Sequence, residues 1–202
     1  MTIALTWLGP LGPGNLPTDS QEILQLDLSA VYLRVKSYES ERLVAYVGQT
    51  THLINRIDQH LSHLVSLANP LRDRFGEPIY DAAFDSRLAA FNDLERVSAA
   101  VVAEANRIQF FYALCDDVFH DGYLDIIERL LKARIEDRAA RLDFACENRN
   151  AVALRQIPDD MDRLQVVNDF SGLKGATRER LQTLLGEEPI EIALAELEAG
   201  FV

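Results

Sequence analysis

Disulfide chemistry, a membrane span and a strongly basic surface are all missing from this chain. Its two cysteines, Cys115 and Cys146, are too few for a disulfide scaffold and have no partners at zinc-ligand spacing, so both read as free thiols. No apolar run is long enough to cross a bilayer, and no basic segment followed by an apolar stretch opens the sequence. The expectation is a cytoplasmic protein with no membrane partner. Internal repeats, low-complexity tracts and a glycine-rich phosphate loop are absent as well.

The formal net charge is -12, where a nucleic-acid enzyme usually carries a basic footprint. The acid is unevenly spread. Between positions 30 and 70 the basic residues Arg34, Lys36, Arg42 and Arg56 outnumber Glu39, Glu41 and Asp58, whereas positions 151 to 202 hold five basic and ten acidic residues. A local phosphate-binding surface is compatible with that distribution, with strongly salt-dependent binding.

A chain of 202 residues suffices for one well-buried domain with an extension. The first stretch, 1–28, is crowded with Gly9-Pro10, Gly12-Pro13 and Gly14 and reads as an arm or loop. Period-two patterning begins at Ser29. Val31, Leu33 and Val35 alternate with Tyr32, Arg34 and Lys36, which predicts a half-buried strand, and Arg42 to Gly48 predicts a second. The polar residues Ser37 to Glu41 suit a hairpin turn, which would put Tyr32 and Tyr46 on adjacent antiparallel strands.

After Gly48 the period lengthens. Leu53, Ile54, Ile57, Leu61, Leu64 and Val65 recur at helical spacing, with Thr50 or Thr51 as N-cap, and Arg56 and His60 stand one turn apart on the side away from that stripe. A second stripe, Leu94, Val97, Val101, Glu104, Ile108 and Phe111, predicts a helix that is apolar on one side except for Glu104. A carboxylate in such a stripe needs compensation, by a divalent cation or by a buried arginine. Glu95 and Glu128 interrupt no comparable stripe and are weaker metal candidates.

The run Val31-Tyr32, Tyr46-Val47-Gly48, Arg56 and His60 resembles the GIY-YIG nuclease family. The resemblance covers about residues 29–116. It implies a small, mainly antiparallel three-stranded sheet flanked by helices, an α/β (α+β) fold, with Pro78 to Phe84 as the third strand and a helical extension over 117–202. It also implies an endonuclease that hydrolyses DNA phosphodiester bonds with Mg²⁺ or Mn²⁺. Tyr32 and Tyr46 would activate water, Arg56 would stabilise phosphate charge and His60 would assist proton transfer. Glu104 would hold the metal, and Gly48, Arg34 and Lys36 would contact substrate. Two positions depart from the family pattern: Ala30 stands where a glycine is usual, and the family's later asparagine has no counterpart except Asp116. No residue separates DNA from RNA as substrate. The alternative is a catalytically inactive protein of the same fold that binds DNA or a protein.

In the remaining sequence, Tyr123 to Phe144 predicts a helix burying Ile127, Leu130, Leu131 and Ile135, which packs on the core or pairs with a second chain. A homodimer would suit cutting both strands of a duplex. Phe170-Ser171-Gly172-Leu173-Lys174-Gly175, before a helix at Thr177 to Leu185, faintly resembles a helix-hairpin-helix turn; a helix C-cap and loop is the plainer reading.

Overall fold

The computed structural model describes residues 1–39, 41–80, 84–115, 121–148 and 162–198. In chain order its elements are β1 (Thr2–Thr6), β2 (Leu8–Leu11), α1 (Ser20–Leu26), β3 (Ala30–Ser37), β4 (Leu43–Thr50), α2 (Leu53–Val65), β5 (Leu71–Arg72) and β6 (Pro78–Tyr80). They continue with α3 (Phe84–Phe91), α4 (Leu94–Arg107), β7 (Ile108–Leu114), α5 (Asp121–Arg141), β8 (Phe144–Cys146), β9 (Arg163–Asp169), α6 (Gly175–Leu185), β10 (Ile190–Ala193) and α7 (Leu194–Glu198). The fold is α+β with mixed sheets.

Strand β3 organises the molecule. It is hydrogen-bonded on one side to β4 and on the other to β7, both antiparallel, in register from Ala30 opposite Thr50 and Leu114. The sheet is five-stranded and mixed, β2-β7-β3-β4-β8, because β2 pairs with the outer edge of β7 and β8 adds to β4 in parallel. This corrects the expectation of a three-stranded sheet.

Its third central strand is also not the predicted one. Pro78–Tyr80 pairs only with β5 in a separate two-stranded ladder, and 81–83 lie outside the described residues. The place belongs to β7, formed where the Glu104 stripe runs out: α4 stops at Arg107, and Ile108 and Phe111, which fit helical spacing, are strand residues. Asp116 lies outside the described residues.

Alternation along β3 sorts two cores. Val31, Leu33 and Val35 join Phe111, Ala113 and the α5 residues Ile127, Leu130, Leu131 and Ile135 on one face. Ala30 and Tyr32 join Leu53, Ile57 and Leu64 of α2 and Val97 and Ala100 of α4 on the other. Both faces are covered, so β3 is fully buried rather than half-buried, and Arg34 and Lys36 are carried inside with it.

The termini differ from expectation too. Within 1–28 the structure forms β1, β2 and α1 instead of a loop. Gly9 explains why a glycine-rich segment can be strand: at φ 113° it lies so close to β7 that a methyl there would sit 2.7 Å from the Phe110 carbonyl oxygen. Strand β1 pairs in parallel with β9, and β10 closes a second three-stranded sheet, so the segment expected to be helical carries strands as well. Trp7 anchors this junction, fully buried and donating from Nε1 to Asn168 Oδ1 at 3.0 Å.

Replacing Trp7 with alanine removes that donor and the largest side chain in the junction, and is expected to cost about 3–5 kcal/mol. Urea unfolding followed by far-ultraviolet circular dichroism reads the change; a loss under about 1 kcal/mol would show that the junction is not part of the cooperative core.

Candidate active site

The tyrosine pair is set by the hairpin register. Tyr32 lies opposite Gly48, and its ring crosses the glycine so closely that any Cβ at position 48 would overlap the phenol and its hydroxyl. Gly48 therefore gives Tyr32 room. Tyr46 sits two residues earlier on β4, its ring centroid 6.2 Å from that of Tyr32.

Helix α2 delivers Arg56 and His60, but on a different footing from the sequence expectation. The residues it buries are Leu53, Ile57, His60 and Leu64, so His60 occupies a position in the apolar stripe while Val65, counted into that stripe, is exposed. Arg56 reaches round the helix. Its Nε donates to Tyr32 Oη at 2.9 Å, Nη2 to Tyr46 Oη at 3.5 Å and Nη1 to Gln59 at 2.8 Å. Thr50 accepts from the His52 amide and caps the turn before α2, whereas the N-cap residue itself is His52, without a side-chain bond.

His60 is 6% exposed and lies between Arg34 Nη1, 2.8 Å from its Nδ1, and Tyr32 Oη, 2.8 Å from its Nε2. A guanidinium only donates, so Nδ1 accepts and the ring proton is on Nε2, donated to Tyr32. Burial, reinforced by the charges of Arg34 and Arg56, pushes His60 down to about 2. It is a neutral ring that orients Tyr32 rather than a proton shuttle. Burial, together with neighbouring Tyr46, also raises Tyr32 well above the ordinary tyrosine value despite the opposing charge of Arg56. Tyr32 is a phenol at neutral pH.

Arg34 and Lys36 lie on the same buried face. Arg34 bonds Glu147 at 2.6 Å, and its guanidinium carbon is 5.0 Å from the Tyr46 ring centroid. Lys36, 1% exposed, is 2.8 Å from Glu104 Oε1 and 3.5 Å from Glu147. Lys36 is thus a core cation and not a substrate contact. Glu104, with no exposure, also accepts from Tyr38 Oη at 2.9 Å and has Arg107 3.6 Å from Oε2.

Glu147 was not singled out from sequence. It completes the cluster with Arg72 at 3.3 Å. Burial alone would raise it, but Lys36, Arg34 and Arg72 together hold it below the usual carboxylate range. Asn148 fixes this segment by bonding both the amide and the carbonyl of Val47, at 2.8 and 2.7 Å. No sequence signal marked either residue: both follow β8, an edge strand of three residues, too short to show period-two patterning.

Two clefts flank Arg56 and Gln59, the larger of them predominantly polar. One, of about 270 Å³, is walled by Arg34, Tyr46, His60, His63, Asn69 and Glu147. The other, of about 440 Å³, is walled by Gln49, Thr50, Thr51, His52, Asn55 and Glu128. Glu104 lines neither.

The Glu104 surroundings do not fit a divalent metal, because an ammonium and a guanidinium already face its carboxylate. Among the residues that line the larger cleft Glu128 is the one carboxylate, beside amide and hydroxyl oxygens of the hard type Mg²⁺ accepts. Among the described residues no group of three or more His, Cys, Asp or Glu side chains is placed to hold a metal. Compared with known proteins, the chain matches no family model, no curated protein and no solved structure. No helix among the described residues is long and apolar enough to cross a membrane.

Two outcomes follow from these contacts. Lys36→Met leaves Glu104 buried without its ammonium and is expected to cost about 3–5 kcal/mol, most of it recovered in Lys36→Met/Glu104→Leu; a double mutant as unstable as the single one would reject the pair as the main partner of Glu104. The second concerns pH. Since His60 binds its proton less readily folded than unfolded, its contribution is complete above about pH 6.5 and is lost on acidification, about 2 kcal/mol between roughly pH 7.5 and 5. His60→Gln should lose that component of the pH profile; superimposable profiles would mean that His60 charges freely in the folded protein.

Proposed function

We propose that this chain is an endonuclease with a GIY-YIG-type site that hydrolyses DNA phosphodiester bonds. One observation carries the reading: Arg56 hydrogen-bonds the hydroxyls of both tyrosines and stands in the wall of two open clefts, one holding Tyr46 and the other Glu128. The antiparallel trio β4-β3-β7, with α2 on one face and α5 on the other, supports it as the GIY-YIG-like core inside the larger sheet.

The two tyrosines take unequal roles. Tyr46, half-buried in the cleft wall with Arg56 on its hydroxyl, is the side chain placed to take the proton of an attacking water, a role that requires its phenolate form, which a neighbouring guanidinium favours. Tyr32 holds Arg56 and is itself held by His60, so both are positioning residues. Arg56 meets the charge that develops on phosphate, through a planar fork suited to its oxygens. Glu128 would hold Mg²⁺ or Mn²⁺, which when bound supplies positive charge to phosphate and lowers the pKa of a bound water.

A second reading, a DNA- or protein-binding member of the fold without cleavage, draws on the Glu104–Lys36 pairing, which commits Glu104 to the core, and on the acidic net charge.

Supercoiled plasmid incubated with the protein, Mg²⁺ or Mn²⁺ and low salt separates the two. The wild type is expected to nick, with Tyr46→Phe and Glu128→Gln slower by about 10²-fold or more and Glu104→Gln affected only through stability. Nicking by Glu128→Gln at the wild-type rate would remove that carboxylate from the site. Binding of DNA or RNA with no cleavage of either would favour the second reading.

A further inference from the structure

The smaller cleft, whose wall holds Tyr46 and Arg56, has features that cleavage alone does not account for. Beneath it, the ion pairs join Arg107 to Glu104, Glu104 to Lys36, and Lys36, Arg34 and Arg72 to Glu147. Among the described residues four cations thus share these two carboxylates, and Arg56 adds a fifth positive charge at the rim. Charges carried into the core need compensation, and an excess of one sign under an opening draws the opposite ion into it.

Residues of the cleft wall also hold buried donors without acceptors. Arg34, only 4% exposed, uses both terminal nitrogens, but its Nε has no hydrogen-bond partner among the described residues, and neither has the buried Nδ2 of Asn69. Leaving such donors unsatisfied is costly, and an anionic oxygen is the acceptor that answers both the donors and the charge. Glu147, the carboxylate in the same wall, is already shared among three cations.

We infer that this cleft is a phosphate-binding subsite, built by Arg34, Arg56 and Asn69 with His63 at its rim, that holds a phosphate group separate from the one attacked beside Glu128. The ligand class rests on the nucleic-acid reading, in which the group is a neighbouring phosphate of the same strand; a free phosphate presents the same oxygens. A volume of about 270 Å³ accommodates a phosphate with part of its sugar.

Calorimetry and thermal unfolding with inorganic phosphate, and separately with a dithymidylate carrying one internal phosphodiester, test the inference without requiring cleavage. Inorganic phosphate is expected to raise the melting temperature of the wild type. Asn69→Asp and His63→Glu, which put carboxylates into the cleft wall, are expected to weaken phosphate binding roughly tenfold or more. Glu128→Gln is expected to bind it as the wild type does. Stronger binding of the dithymidylate than of inorganic phosphate assigns the subsite to a strand, and the reverse order assigns it to a free phosphate. No phosphate effect on the wild type, or an equal effect on Asn69→Asp, overturns the inference. A protein that never nicks DNA but loses phosphate binding in Asn69→Asp would keep the subsite while refuting the nuclease reading.

Discussion

The constraint on which this molecule turns is that one face of its central strand is both charged and buried. Strand β3 cannot expose Tyr32, Arg34 and Lys36, because α2 and α4 cover that side of the sheet. Each polar group must therefore find a partner inside. Lys36 takes Glu104 from α4, Arg34 takes Glu147 after β8 and His60 from α2, and Tyr32 takes His60 and Arg56. Removing either member of such a pair leaves a charge in the core, so the partners hold the helices and the edge strand in fixed positions around β3. The site is one end of that network.

This explains what the sequence could and could not reveal. The hairpin and α2 were legible because Val31, Leu33 and Val35 alternate and Leu53, Ile57 and Leu64 recur at helical spacing. The burial of the opposite face was not, since Arg34 and Lys36 read as solvent-facing whenever their partners are unknown. Glu147 lies 113 positions from Arg34, and no local pattern joins them. Glu104 was noticed for a sound reason, a carboxylate in an apolar stripe, but the compensating charge is an ammonium from the neighbouring strand instead of a metal. His60 carried the same signal in α2, and there a polar residue in the stripe went unread because a wider stripe of Ile54, Leu61 and Val65 obscured it.

The element errors share a physical origin. A stripe at spacings of three and four continues through Ile108 and Phe111, yet the chain leaves the helix after Arg107 because pairing with β3 satisfies the backbone of a segment that includes two adjacent phenylalanines, one facing each core. At the N-terminus, glycine and proline suggested a loop, but Gly9 lets the backbone approach β7 where a side chain would collide with it. In both cases tertiary pairing overrode local preference.

The asymmetry between Tyr32 and Tyr46 is the feature that most constrains chemistry here. Both are tyrosines on adjacent strands, and both are touched by Arg56. Burial separates them. Tyr32 is enclosed over Gly48 with its oxygen accepting from His60 and Arg56, and desolvation disfavours its phenolate more than Arg56 favours it. Tyr46 is only partly buried and borders the cleft. An arginine bridging the two can keep the inner tyrosine as a fixed post while leaving the outer hydroxyl beside open space, where water can reach it. The neutral His60 is necessary to that division: an imidazolium between Arg34 and Arg56 would add a third positive charge and expel one of the guanidinium groups that define the cleft.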